Sequence, residues 1–365
     1  MANMNIRTPR FYTDHISYLM SRGLAQNGNF DVKATGGSGT SASRGIQTGT
    51  EAELFDMNPL NAVDFDTSAD TDGHVLVTLN TQGVYQKSYI AILNHNLSSA
   101  VGKIRVFAGN ISSDVTAVDG ANAETADINW GSVTVTEIVN ADTRTAGSDN
   151  KSVVIEPGHD GTTLFTFPET DLQYWCIQFE GNTTNTGNAT NGTWGSTDLY
   201  VGGIMIGEYY DMPHSPDLQV NRSIIFDQVK QLESAGGKRF SNMSSWGRVG
   251  TTSGRSPFNT ANYNYTAFGG RIAYDLTFSY LASTDLMPNE YRNNFSMVDD
   301  DAVVVDVWDK THGPHTPFIF SIDKDSAGDN ASSEHIFARF RQDSLNMNQI
   351  AHDYWNISLK IEEEF

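Results

Sequence analysis

In "YIAILNHNLSSA", residues 89–100, five apolar residues run straight into Asn94, His95 and Asn96. An imidazole between two amides can act as a general base or grip a polar ligand, provided that a partner orients the ring. No Ser, His and Asp spacing around this stretch supplies that partner. Asn tolerates left-handed backbone and bonds its own main chain, so a turn is the first reading. A ligand-contacting loop is the functional alternative.

A second cluster of ligand-type residues lies in "DKDSAGDNASSE", residues 323–334. On the calcium-loop pattern, Asp323, Asp325, Asp329 and Glu334 take the first, third, seventh and twelfth positions, with Gly328 at the sixth. Ala327 stands where an oxygen ligand belongs, and the flanks "PFIFSI" and "HIFARF" read as strands. The expectation is an acidic hairpin loop, with weak calcium binding as the alternative and no other cofactor. His312 and His315 flank Gly-Pro, a turn that does not present them as helix-spaced metal ligands. Cys176, the only cysteine, lies in the strand-like "YWCIQF" and is expected to be a buried thiol. Paired carboxylates for glycoside cleavage would need two acids converging in one cleft, and nothing in the sequence singles out a pair. The chain is read as a non-enzyme.

The elements that must position these residues are mostly strands. "HVLVTL", "YIAIL", "KIRVFA", "SVVIE", "LFTF", "YWCIQF" and "LYVGGIMIG" are separated by Gly, Asn, Asp and Thr turns. Runs apolar on both faces suit central strands, and alternating runs suit strands with one wet face. Two prolines in "EYYDMPHSPDLQ" mark a boundary near residues 211–216, after which "RIAYDLTFSY", "AVVVDVW", "PFIFSI", "HIFARF" and "WNISLKI" continue the pattern. The fold class is therefore all-β. A β-sandwich or jelly roll over residues 51–213 precedes a second β-rich domain over 214–365. Before them, residues 1–50 read as an arm with one short helix. Thr13 or Asp14 caps that helix, Tyr12, Ile16, Leu19 and Met20 share its face, and Gly23 ends it. "KATGGSGTSASRGIQTGT" reads as a flexible linker. A further short helix is expected near Asp285 to Phe295.

The chain of 365 residues carries a formal charge of −21. Such a field opposes phosphate backbones, so nucleic acid is not an expected partner. The first 50 residues hold five Lys or Arg against two Asp, a net of +3, which leaves −24 on the remainder. A basic arm on an acidic body is expected to dock on acidic protein surface such as a neighbouring copy. No apolar stretch approaches the roughly 20 residues that span a bilayer, and "MANMNIRTPRFYTD" has no apolar signal core.

Three stretches resemble structural proteins of tailed bacteriophages, particularly those from marine sequences. "NIRTPRFYTDHISYLMSRG" looks like the opening of such virion proteins. "YIAILNHNLSSAVGKIRVFAG" and "LYVGGIMIGEYYDMP" look like strands of the galactose-binding-like jelly roll in phage tail proteins. The C-terminal half, through "RIAYDLTFSYLAS" to "WNISLKIEEEF", is similar in style to distal-tail and baseplate-hub proteins. The resemblance implies a virion component that assembles with copies of itself and other virion proteins, most simply as a ring in the tail or baseplate. It leaves open a capsid decoration protein and a binder of host surface glycans through the loop at Asn94, His95 and Asn96. No sugar-contact residue is carried over from it.

Overall fold

β-Branched and aromatic runs between turn residues favour strands, because such side chains pack well on a pleated surface. The computed structural model describes residues 7–23, 29–36, 45–70, 73–82, 85–116, 126–141, 143–146, 150–182, 192–226, 229–243, 258, 270–288, 302–327 and 331–364. The chain begins with β1 (Arg10–Asp14), α1 (His15–Ser21), β2 (Phe30–Gly36), β3 (Ile46–Thr48) and, after a 3₁₀ turn at Glu51–Phe55, β4 (Val63–Phe65). Then come β5 (Gly73–Asn80), β6 (Lys87–His95), β7 (Gly102–Gly109), the short α2 (Ser112–Thr116) and β8 (Thr136–Val139). β9 (Thr143–Ala146), β10 (Val153–Glu156), β11 (Gly161–Thr170), β12 (Tyr174–Gly181) and β13 (Leu199–Asp211) complete the first part. The second part opens with β14 (Asn221–Ile225), β15 (Val229–Glu233), β16 (Arg239–Met243), β17 (Arg271–Ala282) and α3 (Ser283–Leu286). It ends with β18 (Phe318–Ser321), α4 (Ala331–Glu334), β19 (His335–Phe340), β20 (Met347–Ala351) and β21 (Tyr354–Glu363).

Two antiparallel sheets face each other in the first part. One is the six-stranded β2-β5-β12-β7-β10-β9. The other is half of a 13-stranded sheet ordered β14-β17-β21-β19-β18-β1-β13-β6-β11-β8, with β4 beside β13, β3 beside β4 and β20 beside β21. Ile90, Ile92, Phe165, Val201 and Ile206 from the large sheet meet Val75, Val77, Ile104, Val106, Trp175 and Ile177 from the small one. This is a sandwich core, and the all-β expectation holds. A second core gathers Phe11, Tyr210, Tyr274, Phe278, Phe318, Phe320, Phe340, Ile357 and Leu359. On the reverse face of the large sheet, Tyr12, Tyr89, Ala91, Leu93, Met205, Ile319, Phe337 and Phe258 form a third cluster.

The expected arm is corrected by β1. It lies between β13 and β18, pairing Phe11 with Tyr210 on one side and with Phe320 on the other. Phe11 and Tyr12 are fully buried, one on each face of the sheet, because side chains alternate along a strand. Two of the five basic residues expected to dock elsewhere, Arg7 and Arg10, pair within the chain. Arg10 grips Asp211 through Nε and Nη2 at 2.5 and 2.8 Å and lies 3.9 Å from the Tyr209 ring centre. Helix α1 has the expected cap and stop: Asp14 accepts from the Ser17 amide, and Gly23 takes φ +67°. Of the expected linker, residues 33–36 pair with β5 and 46–48 with β4, while 37–44 lie outside the described residues.

Three further expectations change. "AVVVDVW" forms no strand: Val303–Asp309 is a π-helical segment with Val303, Val304, Val305 and Val307 buried. There the Asp306 carboxylate accepts from the Ala302 amide, and the Thr311 hydroxyl donates to the Val307 carbonyl, local bonds that hold the coil against valine's strand preference. β17 alternates as expected from Tyr274 to Phe278, after which a register shift against β21 reverses the phase. Tyr280, at φ +62°, is then 68% exposed and Leu281 is buried. "HVLVTL" is buried on both faces rather than one. Of the helix expected near Asp285 to Phe295, only Asp285 and Leu286 are helical, at the end of α3, which stops at an extended Met287; residues 289–301 lie outside the described residues. No helix among the described residues is long and apolar enough to cross a membrane.

Candidate functional site

β6 is central, with β13 on one side and β11 on the other, and it delivers the Asn-His-Asn triplet to the rim of the sandwich. Asn94 adopts φ +47°, the left-handed geometry Asn tolerates best among residues with a Cβ. The three side chains are only 1%, 1% and 3% exposed. Asn94 Nδ2 donates to the Pro59 carbonyl at 2.7 Å, tying the loop before β4 to the end of β6. Asn96 extends a strand edge with its amide: Nδ2 donates to the Asp198 carbonyl at 2.7 Å and Oδ1 accepts from the Tyr200 amide at 2.8 Å.

The Leu97 amide donates to His95 Nδ1 at 3.3 Å, and Nε2 lies 2.9 Å from Thr163 Oγ1. The Thr163 hydroxyl in turn donates to the Asn140 carbonyl at 3.3 Å. This chain of donors puts the proton on Nε2, and burial pushes the imidazole down to about 3, so the ring is neutral. The turn reading therefore describes the triplet. The loop-to-ligand alternative is corrected: these side chains point into the protein and are bonded to β4, β11 and β13 neighbours, out of reach of a sugar face.

The described carboxylates of the acidic loop have partners within the chain. Asp323 accepts from the Asp325 amide at 3.0 Å, and Arg7 lies 3.5 Å from Asp323 and 3.8 Å from Asp325. Glu334 takes a hydrogen bond from the Ser326 hydroxyl. Asp329 lies outside the described residues. Among the described residues, no three His, Cys, Asp or Glu side chains are grouped to hold a metal ion. The described carboxylates of the calcium pattern are thus spent on Arg7, the loop backbone and Ser326. His312 and His315 stack with ring centres 6.5 Å apart on their turn, and Cys176 is fully buried in β12.

Two buried ion clusters escaped sequence reasoning. Lys310, just past the π-helical segment, lies 2.7 Å from both Glu208 of β13 and Asp306. Burial pushes Glu208 up to about 7, with Lys310 opposing that rise, while the two carboxylates outweigh burial and raise Lys310. An ammonium held between two carboxylates is favoured in its charged form, and through Glu208 Lys310 ties the π-helical segment to β13. His15 shares the small cavity here, and its Nε2 lies 2.9 Å from the Thr81 carbonyl oxygen.

The other cluster sits on the face of the six-stranded sheet turned away from the main core. Arg105 donates through Nε and Nη2 to Glu180 Oε1 at 3.1 and 2.7 Å and through Nη1 to the Ser152 hydroxyl at 3.1 Å. Lys103 lies 3.4 Å from the same carboxylate. The alternation of "KIRVFA" would place Lys103 and Arg105 on a wet face, yet both are buried. Their acid arrives 75 residues later from β12, a separation that leaves no local signal.

Compared with known proteins, the chain matches no family model, no curated protein and no solved structure.

Proposed function

We propose that this chain is a structural subunit of a tailed-phage particle, acting through contacts with copies of itself in a ring of the tail or baseplate. The observation that carries this reading is the position of β1, which joins a sandwich core and a second core through one continuous sheet. A ring subunit has to pass load between contacts without hinging, and a central strand hydrogen-bonded on both sides resists hinging better than a linker does. The polar residues that first suggested a binding loop are spent on internal bonds, which favours a scaffold over a glycan binder. The phage assignment itself rests on the sequence resemblance.

Sedimentation of the purified chain with concentration, together with antibody labelling of intact particles, tests the proposal. A closed oligomer of fixed stoichiometry and label on the tail are expected. A monomer at every concentration, or particles without label, would contradict it, and label on the capsid would move the subunit to a decoration role.

A further inference from the structure

Strands β15 and β16 form a hairpin separate from both large sheets. The pairing is regular, from Val229 opposite Met243 to Glu233 opposite Arg239. Its turn is well made. The Ser234 amide donates to the Lys238 carbonyl at 2.9 Å, the Gly237 amide donates back to Ser234 at 2.8 Å, and Gly237 takes φ +78°. That is a three-residue hairpin loop closed by a left-handed glycine. Every residue from Lys230 to Ser241 is exposed, so the ribbon does not lie on the body of the molecule.

Two features make this ribbon unusual for a free surface. Leu232 and Phe240, opposite each other across the strands, are 72% and 52% exposed. An isolated two-stranded hairpin is marginal in water, and exposed apolar pairs mark contact sites. Its charge is also opposite to that of its carrier. Residues 229–243 hold Lys230, Lys238 and Arg239 against Glu233, a net of +2 on a chain of −21.

A matching surface lies in the other half of the chain. Residues 45–86 contain seven Asp or Glu and no Lys or Arg. Glu51, Glu53, Asp56, Asp64 and Asp66 are all partly exposed there, beside β3, which among the described strands pairs only with β4. The carboxylates crowd one another: beyond the effect of burial, Asp198 raises Asp64 and Glu53 raises Asp56.

We infer that the β15–β16 hairpin is a docking arm that seats Leu232 and Phe240 on a second copy of this chain, with its lysines against the acidic face at residues 45–86. The arm and its receptor are different surfaces, so the contact is head-to-tail and repeats from copy to copy until a ring closes. The inference rests on the assembly reading above and names the surfaces that reading requires.

Sedimentation velocity on the full chain tests it with two charge-reversed variants, Lys230→Glu with Lys238→Glu, and Glu51→Lys with Asp66→Lys. Each variant alone should lose self-association by at least about tenfold in dissociation constant. Mixed in equal amounts they should associate again, since a reversed arm then meets a reversed receptor and a native arm meets a native one. Leu232→Ser with Phe240→Ser should weaken association in any mixture while the thermal melt stays unchanged, because the hairpin lies outside both cores. If the unaltered chain assembles and the arm variants assemble equally well, the docking assignment fails while the assembly reading stands. No recovery on mixing overturns the acidic face as receptor, and an unaltered chain that stays monomeric overturns both readings.

Discussion

Because the Leu97 amide donates to Nδ1 of His95, the ring proton sits on Nε2 and reaches Thr163, and a second proton would break the first of these bonds. The folded ring titrates near 3 and the unfolded one near 6.5, so the unfolded chain binds the extra proton first as pH falls. The stabilisation is complete above 6.5 and is lost as pH drops through the window toward 3. Asp14, pushed to about 6 by burial, and Glu208, pushed to about 7, tilt the total in the opposite sense, so the effect is best read as a difference. In urea unfolding, the stability gap between the native protein and His95→Gln should be widest at pH 7 and narrow by about 1.4 kcal/mol per pH unit below 6.5. A gap that stays constant from pH 7 to pH 5 would refute the neutral, internally bonded ring. The sequence supplied the triplet and its turn propensity. It did not reveal the partners, since Pro59, Thr163 and Asp198 reach the site from segments 35 to 102 residues away.

At the scale of elements, local pattern was a good guide where one face is wet and the register is unbroken. β21 keeps Ile357, Leu359 and Ile361 buried with Ser358 and Lys360 outside, as alternation predicts. It misled where tertiary bonds override propensity. Three successive valines at 303–305 coil because Asp306 and Thr311 bond the backbone locally and Lys310 anchors the segment to Glu208. It was silent at β1, whose five residues are too short and polar to announce a central strand and whose partners lie about 200 residues away in β13 and further in β18. The glycines of "LYVGGIMIG" carry a signal that only the packing explains. A Cβ on Gly207 would stand 2.1 Å from the Thr13 carbonyl oxygen, where the chain leaves β1 for α1. Gly207→Ala should therefore force β1 away from β13 and cost about 3 kcal/mol in chemical denaturation. An unchanged midpoint would mean that β1 does not pack as described.

For the whole molecule, β1 decides whether there are two bodies on a tether or one block. Clipping an exposed arm would leave the cores intact, whereas removing a strand buried on both faces takes Phe11 out of the second core and Tyr12 out of the reverse-face cluster and leaves both open to water. A subunit built that way holds its sandwich core and its second core in one block without a hinge between them. Hydrogen–deuterium exchange over the backbone of Arg10–Asp14 tests this most directly, since a central strand opens only when the sheet around it opens. The amides of β1 that pair with β13 and β18 should exchange as slowly as those of β13 itself and be released together with them under mild denaturant. Exchange of residues 10–14 within seconds to minutes, while β13 stays protected, would contradict the single-block architecture.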